Sequence, residues 1–147
     1  MLLQPRTALA IAVVLDVAIH AGRGTVSAAD IAERLGLARR GLEPILQPLS
    51  RAGVLLSTRG PSGGYRLARP RRGITLGEVV RAVTGEAAAP AEGETSELFT
   101  LVVQPFWAEM EAEALARLDG VSLDVLARRA AGAGLASAPG DVISFVI

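Results

Sequence analysis

Ser57-Thr58-Arg59-Gly60-Pro61-Ser62-Gly63-Gly64-Tyr65-Arg66-Leu67 is the stretch whose reading decides the fold. The apolar residues Val54, Leu55 and Leu56 lead into it, a Gly/Pro/Ser cluster turns the chain, and Tyr65 to Ala68 leads out. Two β-compatible runs around a glycine-bearing connection predict a β-hairpin. Arg59 flanks the turn on one side, and Arg66 and Arg69 follow on the other. Guanidiniums around a glycine-rich tip suit approach to a polyanion, because glycine leaves peptide N–H groups unshielded. An ordinary surface hairpin with solvated arginines fits this stretch equally well, so its neighbours must decide.

Upstream, Thr7 to Ala21 predicts a first helix that is apolar on nearly every side. Such a helix is buried by its own core or by a second subunit. Asp16 and His20 interrupt the run, which falls short of the about 20 residues a bilayer requires. No persuasive cleavage site follows it, so cytoplasm is the expected location. His20, the sole histidine, fits a helix C-terminus better than a metal site. Ser27 is a good N-cap for a second helix bearing Ile31, Ala32 and Leu35, and Gly36 stops it. A third helix is expected to begin between Ala38 and Leu42, with Leu42, Ile45, Leu46 and Leu49 inward. Helix, short glycine turn and helix make a helix-turn-helix. Arg39 and Arg40 stand where a recognition helix meets base edges. Pro44 suits a first turn, but Pro48 is interior and predicts a bent or short helix.

Downstream, Thr75-Leu76-Gly77-Glu78 is a capping box, with Ile74 and Val79 as its hydrophobic staple. A fourth helix therefore runs from Leu76 to about Thr84. Glu86 to Gly93 is rich in Ala, Pro and Gly and reads as a linker. A long fifth helix, capped by Thr95 or Ser96 and kinked at Pro105, reaches Leu118. Its wide apolar face (Leu98, Leu101, Val102, Phe106, Met110 and Leu115) suits a subunit interface. Ser122 is expected to cap a sixth helix, Leu123 to Ala131, with Arg128 and Arg129 in its last turn. A loose tail from Gly132 and a strand-like end, Asp141 to Ile147, complete the chain.

Composition narrows the chemistry. The 147 residues contain no cysteine and one histidine, which removes disulfides, thiolate nucleophiles and cysteine-held zinc or iron–sulfur clusters. Aromatics are scarce, which argues against base-stacking platforms. The net charge of zero hides an asymmetry: residues 1–85 hold twelve arginines against five carboxylates, and residues 86–147 hold three against ten. A basic half points to a polyanionic partner.

Taken together the order is three helices, a basic hairpin, a capped helix, a linker and a long apolar helix. The fold class expected is mainly α with a small β-hairpin: a winged helix-turn-helix over residues 1–85, then linker, dimerisation helix, short helix and tail over residues 86–147. In detail the chain resembles the Rrf2 family of bacterial transcriptional regulators. The matching text runs through Ile31-Ala32-Glu33-Arg34, Leu42-Glu43, Ile45-Leu46 and Ala52-Gly53. It continues through Arg59-Gly60-Pro61, Gly63-Gly64-Tyr65 and Ile74-Thr75-Leu76. The resemblance is close from Thr7 to Gly85 and holds in outline beyond. It implies a homodimer on a pseudo-palindromic operator, acting as a repressor. It also implies DNA contacts from Ser27, Arg39, Arg40, Arg59, Ser62, Gly63, Tyr65 and Arg66. Many members bind an iron–sulfur cluster through three cysteines between the fourth and fifth helices; the segment Glu86 to Gln104 has none here. No cofactor or metal is therefore expected. A small-molecule effector, a protein effector or none at all remain open, with a pocket placed near the linker, Phe99, Phe106 and Trp107. The alternative reading is a winged-helix module that binds protein without specific DNA recognition. An enzyme is disfavoured, since no thiol and no phosphate-binding glycine motif is present.

Overall fold

The computed structural model describes residues 4–84 and 92–135. Most of the linker reading, the end of the tail and the strand-like Asp141 to Ile147 lie outside the described residues. Helix α1 (Pro5–His20) starts on a proline at its first turn and buries Ala10, Val13, Val14, Val17 and Ile19. Its one buried carboxylate, Asp16, accepts two bonds from Arg34, at 2.8 and 2.9 Å, across to the next helix. Helix α2 (Ala28–Leu35) is capped as read: Ser27 Oγ accepts the Asp30 N–H at 3.1 Å. Gly36, at φ 67°, ends it, and the Leu37 N–H returns to the Ala32 carbonyl at 2.8 Å.

Helix α3 (Glu43–Arg51) begins one residue later than the expected range, because Arg39–Gly41 forms a separate 3₁₀ turn. Pro44 occupies the first turn, where its missing N–H costs nothing. Pro48 sits inside the helix and orphans the carbonyl four residues before it, that of Pro44. Arg6, from the start of α1, donates to that carbonyl at 2.7 Å. The carbonyl the interior proline leaves open is thus answered by a side chain 38 positions before it, and the helix continues to bury Ile45, Leu46 and Leu49.

Strands β1 (Leu55–Thr58) and β2 (Gly64–Leu67) pair antiparallel, Leu55 opposite Leu67 and Leu56 opposite Arg66. The period-two alternation sends Leu55 into the core and leaves Leu56 and Arg66 outside. Val26 adds a short third edge, exchanging two backbone bonds with Tyr65 at 2.8 and 2.7 Å. That approach requires Gly64, since a Cβ there would lie 2.5 Å from the Val26 carbonyl oxygen.

Helix α4 (Leu76–Val83) has both halves of the capping box, Thr75 Oγ1 from Glu78 N–H at 3.2 Å and Glu78 Oε2 from Thr75 N–H at 2.8 Å. Beyond the undescribed segment, Ser96 Oγ accepts the Phe99 N–H at 3.2 Å and caps the helical start at residues 97–98, which runs into a π-helical turn, Phe99–Val103. Helix α5 (Gln104–Asp119) follows directly. The wide turn lets Gln104 bond back to Phe99 and places Pro105 at the start of regular α geometry. A π turn thus stands just before Pro105, where a kink was expected.

Helix α6 (Leu123–Gly132) departs from the sequence reading in two ways. Ser122 holds the N-cap position with extended backbone but makes no side-chain cap. The backbone on either side of it is engaged instead: Leu76 N–H donates to Val121 O at 2.9 Å and Leu123 N–H to Ile74 O at 2.8 Å. Helix α6 thereby returns to pack on α1 and on the 3₁₀ turn Arg71–Gly73, with Leu123 fully buried in the common core.

Candidate nucleic-acid interface

The helix-turn-helix and the wing meet at Val26. The Thr25 hydroxyl donates to the Ser62 carbonyl at 3.0 Å, so the wing loop lies against the chain entering α2. Within that loop the Gly63 N–H closes on the Gly60 carbonyl at 3.0 Å. A side chain at Gly63 would run into the Thr58 carbonyl, and Gly60 adopts φ 109°. The glycines are therefore fixed by how the loop closes, a role the sequence reading did not give them.

The expected site residues divide into two groups. Arg39, Arg40, Arg59, Ser62 and Arg66 are exposed. Ser27 and Gly63 are half-buried, as is Tyr65, which packs on the core and pairs with Val26 through its backbone. Ser27 spends its oxygen on the α2 cap. Arg69, expected at the hairpin, is directed elsewhere: it bonds the Gly73 carbonyl and Glu78 Oε1, each at 2.8 Å, and so braces the α4 cap. The Thr75 backbone bond, assisted by Arg69, holds the Glu78 carboxyl below the usual carboxylate range.

The ion pairs sort the arginines. Arg34 joins Asp16, Arg69 joins Glu78, Arg81 joins Asp119, and Arg71, Arg72 and Arg128 surround Asp124. The bond to Asp16 raises the Arg34 pKa further, fixing that charge. Among the described residues no carboxylate pairs with Arg39, Arg40, Arg59 or Arg66. Arg23, Arg51, Arg117 and Arg129 are also exposed without a carboxylate partner there, and sequence reasoning placed neither Arg23 nor Arg51 at the site. The Gly22-Arg23-Gly24 turn was the available signal: a lone cation between glycines. Arg23 and Arg66 line one shallow depression of about 350 Å³, with Val17, Ala21 and Leu67. That hollow lies away from Phe99, Phe106 and Trp107, where an effector pocket was expected.

The apolar residues of the fifth helix lie uncovered. Leu98, Leu101, Val102 and Phe106 keep 70, 73, 59 and 57% of their surface, Met110 is also exposed, and Leu115 is half-buried. No helix among the described residues is long and apolar enough to cross a membrane.

A winged helix with unpaired guanidiniums on its reading turn and wing is the architecture of a helix-turn-helix transcriptional regulator. The Rrf2 family model, described as an iron-dependent transcriptional regulator, matches residues 3–129, and the chain belongs to that family. The HTH-type transcriptional regulator IscR of Aliivibrio salmonicida is 36% identical over 124 residues, 80% of this chain and 71% of that protein. A putative HTH-type regulator of Azotobacter vinelandii, ORF2, is 45% identical over 74 residues, 50% of this chain and 45% of its own length. Among solved structures, T. potens IscR has a TM-score of 0.68 at 30% identity, covering 87% of each chain. CymR (YrzC), the global cysteine regulator of B. subtilis, has a TM-score of 0.66 at 26% identity, covering 86% of this chain and 96% of that one. These relatives are DNA-binding transcriptional regulators by type, not enzymes, and this chain is one of their class.

The iron in the family's description does not suit this donor set. The chain has no cysteine and one histidine, and the described residues gather no group of three or more ligands for a metal. A cluster held by thiolates has nothing here to hold it.

Proposed function

We propose that the chain is a cytoplasmic, homodimeric repressor that binds a pseudo-palindromic operator. The observation that carries this reading is the sorting of arginines. Those on the turn before α3 and on the wing are left without carboxylate partners, while Arg34, Arg69, Arg71, Arg72, Arg81 and Arg128 are paired internally. Unneutralised guanidiniums bind phosphate with release of counterions. Arg39 and Arg40 approach base edges or flanking phosphates from the N-terminal side of α3. Arg59 and Arg66, with the loop backbone around Ser62, contact the minor groove or the phosphate chain. Gly63 and Tyr65 shape the wing, and Ser27 presents the α2 N-terminus to a phosphate.

The exposed face of the π turn and α5 supports the dimer. A stripe of Leu, Val, Phe and Met left in water is costly for a monomer and is covered when a second copy lays its own stripe against it. The test is binding of labelled DNA from the chain's own upstream region, or of duplexes selected from a random pool, at rising salt. Affinity falling steeply with salt supports the reading. Absence of binding at about 50 mM salt favours a protein-binding module instead.

A further inference from the structure

The joint between α5 and α6 is built more firmly than a connection requires. A two-bond backbone bridge ties residues 121–123 to residues 74–76, immediately before α4. Asp119, at the end of α5, takes both terminal nitrogens of Arg81 from α4, the second at 2.8 Å. Gly77 has no side chain at the one place where a Cβ would strike that carboxylate. Asp124, only 5% exposed, accepts Arg71 Nε at 2.7 Å and Arg128 at 2.9 Å, with Arg72 at 3.8 Å. Arg71 and Arg72 belong to the turn that follows the wing, so one buried carboxylate links the wing's exit to α6. None of these groups lies among the unpaired arginines of the proposed interface.

A helix that joins two subunits acts as a lever on whatever it carries. Sixteen residues make α5 about 24 Å long. A tilt of about 10° at its base moves the far end by about 4 Å, more than the 3.4 Å rise of one base pair. Two reading heads must meet half-sites about one helical turn apart, so their separation tolerates little tilt. We propose that this joint sets the angle between α5 and the winged domain, making Asp119 and Asp124 positioning residues that select one half-site spacing. The inference rests on the dimeric DNA-binding reading above.

The test uses the full chain with Asp119→Asn and Asp124→Asn made separately, an operator selected from random duplexes, and copies of it with one or two base pairs inserted between half-sites. The Asp119 pair is about half exposed, unlike the buried Asp124, so its variant keeps the fold even where the Asp124 variant is weakened. Sedimentation reports the dimer, and a duplex with one half-site reports each head alone. Wild type should lose at least about tenfold in affinity on insertion. Each variant should remain dimeric and bind the single half-site like wild type, yet lose most of that spacing preference; Asp124→Glu should restore part of it. Folded, dimeric variants that keep the wild-type spacing preference overturn the joint. Equal losses on the single half-site and the operator overturn it as well, showing damage to the heads. A monomeric wild type overturns the dimeric reading and the joint with it; a dimeric wild type indifferent to spacing overturns the joint alone.

Discussion

Arg6 and Glu78 show how single residues make this fold permissible. Pro48 removes the donor that would have served the Pro44 carbonyl, and the charged Arg6 nitrogen takes its place at 2.7 Å. A charge-assisted bond at an exposed position stabilises by about 1 kcal/mol. Arg6→Ala should therefore lower unfolding stability by about that amount in urea titrations, and the loss should shrink if Pro48 is replaced by alanine. Equal losses in both backgrounds would contradict the pairing. Glu78 gives a pH prediction. Its carboxyl is depressed by the Thr75 backbone bond and by Arg69, so the native state favours the ionised form. That contribution is complete above the ordinary value of about 4.3 and is lost as pH falls through the lower folded-state value. Glu78→Gln should be less stable than wild type at neutral pH, with the gap narrowing under acid conditions; thermal melts at several pH values read this directly.

Among the elements, those specified locally were legible in the sequence. Ser27 capping α2, Gly36 ending it and the Thr75–Glu78 box all depend on residues within four positions, and the structure has each of them. The hairpin was legible from its glycines, though their reason was not. Gly63 and Gly64 answer close approaches by Thr58 and Val26, and the second comes from another part of the chain. Gly63→Ala should distort the wing and weaken DNA binding while leaving α1 to α4 folded, as hydrogen exchange at the wing amides would show. What sequence could not supply were pairings across long separations: Arg6 with Pro44, Arg71 with Asp124, Arg81 with Asp119. Ser122 signalled a helix start, but nothing local said that α6 would close over the core. In the candidate site the arginines were legible as a cluster. Their division into paired and unpaired required the fold, and it moved Arg69 to a structural post. At this scale α5 makes its own prediction. Leu101→Glu places charge in the apolar stripe and should shift sedimentation from dimer to monomer without changing helical content; an unchanged dimer would move the interface elsewhere.

The whole molecule is a winged helix whose basic charge is sorted by position. Carboxylates pair with Arg34, Arg69, Arg71, Arg72, Arg81 and Arg128, and among the described residues none pairs with the arginines on the turn before α3 and on the wing. The family's description names iron, and this chain offers no cysteine and a single histidine to hold it. The most direct measurement is the salt dependence of binding to a selected operator, by fluorescence anisotropy, for wild type and for Arg39→Ala, Arg40→Ala, Arg59→Ala and Arg66→Ala. The logarithm of the association constant should fall linearly with the logarithm of salt concentration. Each substitution at a phosphate contact should reduce that slope by about 0.9, and one that reads a base should relax sequence preference instead. Binding whose salt dependence is unchanged in all four variants would contradict the assignment of these arginines to DNA.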